Sequence, residues 1–358
     1  MTSTPPAHRR RSRARGGRGI LIGLAVVAIA AQGVVIAGAA WAVANPRIIA
    51  DRVTVLTTEL DPLVAEYAER AGVGEEGVDL LHASLTRIVP AGDFDDYCSS
   101  DEPGIGVLGC YTLDDGRIYL YDVENPDLAA LEPVVAAHEM LHAAWDRLTA
   151  DEQDALAPLL EEAFAALGPD HELVERIAAY EAQDPRSRIP ELYAIIGSEI
   201  AQVPAALEEH YARYFVDRAA SAGLTDQVNA VFADLEARLT ALSDELEALG
   251  ARIDAEQAAY DADATALEAE ITAFNARAAE PGGYTSQSVF LRDRDALLAR
   301  QQELDARLQA TNALVAQYNA LLEELDALNA EADDLNRSIN VELVPIEERE
   351  GVDAPASG

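Results

Sequence analysis

From Leu224 onward the apolar residues of this chain recur in alternating steps of four and three. They run through Val228, Phe232, Leu235, Leu239, Leu242, Leu246, Leu249 and Ile253, then Tyr260, Ala264, Leu267, Ile271 and Phe274. A repeat averaging 3.5 residues keeps one stripe of a helix turned toward a partner, so the pattern commits the last third of the chain to long helices packed side by side. Pro281-Gly282-Gly283 interrupts it. A second run from about Gln287 to Asn340 carries Leu297, Leu304, Leu308, Val315, Tyr318, Leu322, Leu325 and Ile339 on its stripe. The two runs are nearly equal, each on the order of 80 Å long. A short turn between matched helices predicts an antiparallel coiled-coil hairpin over 224–342 rather than two separate dimerising coils, with a disordered acidic tail at 343–358.

The other end is as constrained. No charged residue stands between Arg18 and Arg47, and Ile20 to Ala44 is a run of 25 residues whose only strongly polar member is Gln32. At about 1.5 Å per residue such a helix covers a hydrocarbon core of roughly 30 Å with some tilt. The expected segment is a transmembrane signal-anchor at 19–45; the alternative is a cleaved signal, with Ala42-Val43-Ala44 as the small-x-small site. Six Arg precede the run and only Arg47 and Arg52 follow it closely. The positive-inside bias then makes 1–18 a cytoplasmic basic tail and puts the rest of the chain outside the cytoplasm, held to the cell membrane by one pass.

Charge excludes one class of partner. All 26 basic residues are Arg, and the 20 that follow the basic tail stand against 64 acids. An acidic body of this kind repels nucleic acid, whose binding depends on cations displacing counterions. Two cysteines, Cys98 and Cys110, are 12 positions apart. In an oxidising compartment they close a small loop; in a reducing one they are two free thiols, and the export argument favours the disulfide.

Between these ends, 50–222 reads as an α+β domain. Val53, Leu56, Leu60, Leu63 and Tyr67 give a helical period over 51–72, with Asp61-Pro62 marking a fresh helix start inside it. Two short strands, 106–111 and 117–121, flank Asp114-Asp115-Gly116, a hairpin signal. Helices dominate 127–168 and 171–222.

His138-Glu139-Met140-Leu141-His142 carries the chemistry. Residues four apart on a helix share a face, so both imidazoles reach one metal ion, most naturally Zn2+. Glu139, beside the first ligand, is placed to take a proton from a metal-activated water. The flanking Val134–Ala137 and Ala143–Trp145 carry no charge, which suits a buried active-site helix. The bland reading is a chance match of a short pattern.

With its Ala143 and Asp146 continuation, this run resembles the gluzincin metallopeptidases, the clan of thermolysin and anthrax lethal factor, over residues 75–220. The resemblance implies a small zincin-like fold, a zinc cofactor, a peptide or protein substrate, and a third ligand Glu on a later helix. Glu191-Leu192-Tyr193-Ala194 fits that ligand pattern, with Glu199 the alternative. Relatives place an acid four residues after the ligand, where this chain has Ile195. The resemblance also implies a Tyr or His donor for the oxyanion, with Tyr180, His210, Tyr211 and Tyr214 as candidates against ordinary aromatic packing. Asp146 is either an orienter of His142 or a surface carboxylate. His82 and His171 read as ordinary structural histidines. The expectation is a membrane-anchored extracytoplasmic zinc metalloendopeptidase; its rival is a non-catalytic envelope scaffold that binds an envelope protein through its coiled coil and keeps a structural or vestigial metal site.

Overall fold

The computed structural model describes residues 32–98, 108–169, 171 and 173–339. The basic tail at 1–18, the anchor run as far as residue 31 and the acidic tail at 343–358 lie outside the described residues. So do the first residues of the strand expected at 106–111.

The described chain is mostly helical, with one small sheet and two long C-terminal helices. Helix α1 (Gln32–Ala44) meets α2 (Pro46–Thr57) at a bend of 93°. Among the described residues no single helix is long and apolar enough to cross a membrane; this bent pair has the length and apolar composition only when its two helices are taken together. The helical run expected over 51–72 divides where Asp61-Pro62 falls. Asp61 caps α3 (Pro62–Arg70) by accepting from the Leu63 backbone N–H, with Pro62 in the first turn where no N–H is needed. Helix α4 (Glu75–Ala83) leads to β1 (Arg87–Val89).

Strands β2 (Gly109–Thr112) and β3 (Arg117–Tyr121) form the expected antiparallel hairpin, with Cys110 opposite Tyr119. Strand β1 pairs with β3 in parallel, giving the order β1-β3-β2. The Cys98–Cys110 disulfide is formed and ties the segment after β1 to β2. Beneath the sheet runs α5 (Leu131–Trp145), packed also by α3, α4 and α8 (Arg188–Ser198), with α6 (Ala150–Leu167) against the last of these. Helix α7 (Leu173–Gln183) and α9 (Ala205–Tyr211) complete this body.

The long helices differ from expectation in two places. Helix α10 (Arg218–Ala279) starts six residues before the predicted boundary at 224 and is continuous with the body. Its first residue, Arg218, is 4 % exposed and donates to the carbonyls of Ile200 and Ala201 and to the Glu208 carboxylate. No linker separates the two regions. Helix α11 (Gln287–Ser338) returns antiparallel, as shown by Arg238 with Glu331 at 2.9 Å near the base and Arg300 with Glu270 near the tip. Its buried residues are Thr311, Leu314, Leu328 and Leu335, with Leu321 and Leu325 half-buried, whereas Leu308, Val315 and Leu322 are exposed. Adjacent apolar pairs, Leu314-Val315 and Leu321-Leu322, offer two seven-residue stripes one position apart, and the sequence alone does not choose between them. The base of the hairpin shares one apolar cluster with Tyr119, Tyr121 and Leu128.

Closing a loop of this size should contribute about 2–3 kcal/mol by chain entropy. Cys98→Ser/Cys110→Ser should therefore lower the unfolding free energy by about that amount in urea titrations, and the unreduced parent protein should titrate no free thiol.

Candidate metal centre

Helix α5 is apolar almost all round, so it is buried almost all round. Val134, Ala136, Ala137, Met140, Leu141, Ala143 and Ala144 are all in the core. Glu132 and Pro133 sit in its first turn, where acids suit the dipole and a missing N–H is tolerated. On its cleft side stand His138 with Glu139 beside it and His142 one turn on, facing a cleft of about 500 Å3. A larger cavity of about 690 Å3 lies between α2 and α4, away from these groups, and has no histidine on its wall.

Helix α8 brings the carboxylate. It approaches α5 closely because small residues face it: a Cβ on Gly197 would lie 2.4 Å from Leu141 Cδ1, and Ala194 is fully buried. Glu191, in the first turn of α8, then points at both imidazoles. Its Oε2 is 3.6 Å from His138 Nε2 and its Oε1 is 3.4 Å from His142 Nε2; the two Nε2 atoms are 3.1 Å apart. A tetrahedral ion with bonds of about 2.0–2.1 Å spaces its ligand atoms about 3.4 Å apart. The three groups thus form a cluster that can hold a metal ion. Glu191 Oε2 is buried and has no hydrogen-bond partner among the described residues, the state of an oxygen shaped for a cation.

Glu199 takes a different place. Its Oε1 lies 3.6 Å from His138 Nδ1, the nitrogen turned away from the cluster. Its two oxygens are held by Arg176 at 2.8 and 2.5 Å. A carboxylate behind a ligating imidazole fixes ring and tautomer. Neither Arg176 nor this pairing was visible in the sequence, since nothing in spacing joins residues 176 and 199.

The electrostatics favour a cation. Burial opposes charge on His138, but Glu191, Glu199 and Glu139 outweigh it and push the imidazolium up to about 10. Burial likewise works to raise Glu191, yet His142 and His138 hold it well below the usual carboxylate range. Burial would raise Glu199 too; Arg176 and His138 hold it at about 2.

Glu139, 5 % exposed, lines the cleft beside β2. A Cβ on Gly109 would come within 2.8 Å of its Cγ and 3.0 Å of its Oε1, so only glycine leaves the carboxylate its seat. Sequence reasoning missed Gly109; a glycine opening a strand is the one signal that pointed to it.

Other candidates fall elsewhere. Asp146 does not orient His142: it pairs with Arg47 at 2.5 Å and accepts from the Tyr111 hydroxyl at 2.7 Å. His210 sits 2.8 Å from the Tyr193 hydroxyl, Tyr211 donates to the Tyr193 carbonyl, and Tyr214 stacks edge-on against His210. All three belong to an aromatic cluster. Of the four proposed donors, Tyr180 alone lines the cleft. His82 contacts Thr58 and His171 accepts from the Leu173 N–H, as ordinary structural histidines do.

Comparison with protein-family models, curated proteins and solved structures gives no match.

The Arg176–Glu199 pair is largely enclosed, its side chains 21 % and 14 % exposed, and removing one partner of such a pair strands the other. Arg176→Met should cost about 3–5 kcal/mol, read by chemical denaturation. Because the folded Glu199 sits at about 2 against an ordinary value of 4.5, its contribution is complete above pH 4.5 and is lost as pH falls from there toward 2. The stability gap between parent and Arg176→Met should narrow over that window.

Proposed function

We propose that this chain is a zinc-dependent endopeptidase anchored to the cell membrane by its N-terminal apolar run, with its cleft outside the cytoplasm and a polypeptide substrate. The observation that supports this reading above all is the spacing of His138 Nε2, His142 Nε2 and the Glu191 carboxylate, 3.1–3.6 Å apart, beside Glu139 in an open cleft.

Two imidazoles and one carboxylate are a ligand set suited to catalytic zinc, which keeps a fourth position open. Zinc held there would supply Lewis acidity for water and for a peptide carbonyl. His138 and His142 would serve through Nε2, and Glu199 would keep His138 Nδ1–H occupied so that Nε2 stays available. Glu139 would act as general base and then hand the proton at its carboxylate to the leaving amine. The glycine opposite it leaves room for that movement. Tyr180, on the cleft wall, is placed to donate to the carbonyl oxygen. In the two long helices, the alternating steps of four and three support a coiled coil as the hairpin's geometry. A structural zinc site has no use for a seated base, which weighs against a purely scaffolding role.

Purified protein should carry one zinc per chain and lose it to chelators. Glu139→Gln should keep the metal and lower peptide cleavage by about 10²–10⁴-fold, whereas Glu191→Ala should lose metal and cleavage together. Glu199→Ala should weaken zinc by about 10–100-fold. Full zinc occupancy in Glu191→Ala, measured by elemental mass spectrometry, would refute the assignment.

A further inference from the structure

Helix α2 is amphipathic in the wrong sense for a water-soluble body. Two of its three charged side chains face the protein: Arg47 meets the Asp146 carboxylate at 2.5 Å, and Asp51 receives two Arg147 N–H groups at 2.9 and 3.1 Å. Three of its apolar side chains face away, while Ile48 and Val55 border the cavity shared with α4. Ile49, Val53 and Leu56 are 40 %, 53 % and 82 % exposed, and their spacing of four and three puts them on one stripe. A surface helix ordinarily does the reverse.

Continuity says what covers that stripe. Helix α1 joins α2 through a 93° bend, carries no charged residue and exposes Val34, Val35, Ile36 and Val43. The uncharged run reaches back to Ile20. If that run crosses a bilayer, a helix leaving it at a right angle lies along the membrane surface. Arg52, beside the stripe, reaches Asp79 of α4 at 3.1 Å, and its side chain, 69 % exposed, leaves the rest of the guanidinium open to phosphate headgroups.

We infer that α2 lies in the lipid–water interface with Ile49, Val53 and Leu56 turned into the bilayer, and that its Arg47 and Asp51 hold the metal cleft against the membrane surface. Asp146 and Tyr111, the partners of Arg47, are themselves walls of that cleft. The substrate class follows: polypeptide segments held close to the bilayer. This rests on the anchor and the cleft assigned above.

The test uses the full chain in liposomes of phosphatidylethanolamine and phosphatidylglycerol, with bimane on Ile49→Cys, Val53→Cys or Leu56→Cys and, as control, on Leu298→Cys in α11. An interfacial helix buries its apolar face about 5–10 Å below the headgroups, so doxyl lipid should quench the three stripe positions at least about threefold more than the control, and iodide should do the opposite. Each labelled variant is first checked for its disulfide and its bound metal, so that a variant that has not folded is set aside and the other positions decide. If the chain floats with the liposomes but the stripe is as open to iodide as Leu298, the inference is overturned and the anchor stands; a protein partner would then be the occupant. If the chain does not float with them, anchor and inference fall together, whereas zinc stoichiometry and Glu139→Gln still judge the peptidase reading.

Discussion

Everything at the candidate metal centre depends on how closely two helices approach. His138 and His142 are fixed to one another by the helical repeat, but Glu191 reaches them from α8, and nothing covalent sets that separation. Small residues set it. Gly197 admits Leu141 and the Tyr211 ring, and Ala194 keeps the interface flat between them. A single added methyl at Gly197 would meet carbon within 2.4 Å, and interiors packed to crystal density do not absorb such a shift locally. The displacement would pass along α8 to Glu191. The dimensions of the site are thus decided in the apolar core, by residues with no chemistry of their own.

The same core has to carry charge. Arg176, Glu199, His138 and Glu191 form a largely enclosed chain in which each group is tolerated because of the next. Such an arrangement adds little net stability, since desolvation consumes most of the attraction. Its value is directional. A guanidinium held by two hydrogen bonds fixes the plane of the carboxylate, and the carboxylate faces the ring nitrogen that the cluster leaves unused.

How much of this could be read in the sequence depended on whether the signal was local. The face shared by His138 and His142, the Asp61 cap and the Asp-Gly turn are set by neighbours within four residues, and each was legible. Glu191 entered through a resemblance and not through any pattern of its own. Strand β1 is only Arg87-Ile88-Val89, too short for a period, and exists because β3 offers it an edge some thirty residues away. Asp146 looked like a partner for His142 one turn back, yet a cation 99 positions upstream claimed it. On α11 the sequence offered two equivalent stripes, and only the surface presented by α10 and the sheet chose between them.

Arg218 joins two scales of the molecule. It caps the end of α8 through the carbonyls of Ile196, Ile200 and Ala201, and it is also the first residue of a helix 62 residues long. That helix measures about 93 Å, so a tilt of about 5° at its root carries the far end through about 8 Å. Read in the other direction, this is a lever with a long outer arm and a very short inner one. A modest pull at the Pro281-Gly282-Gly283 tip becomes a large force over a small distance at the C-terminal end of α8, where the Ile196 carbonyl is about a turn and a half from Glu191.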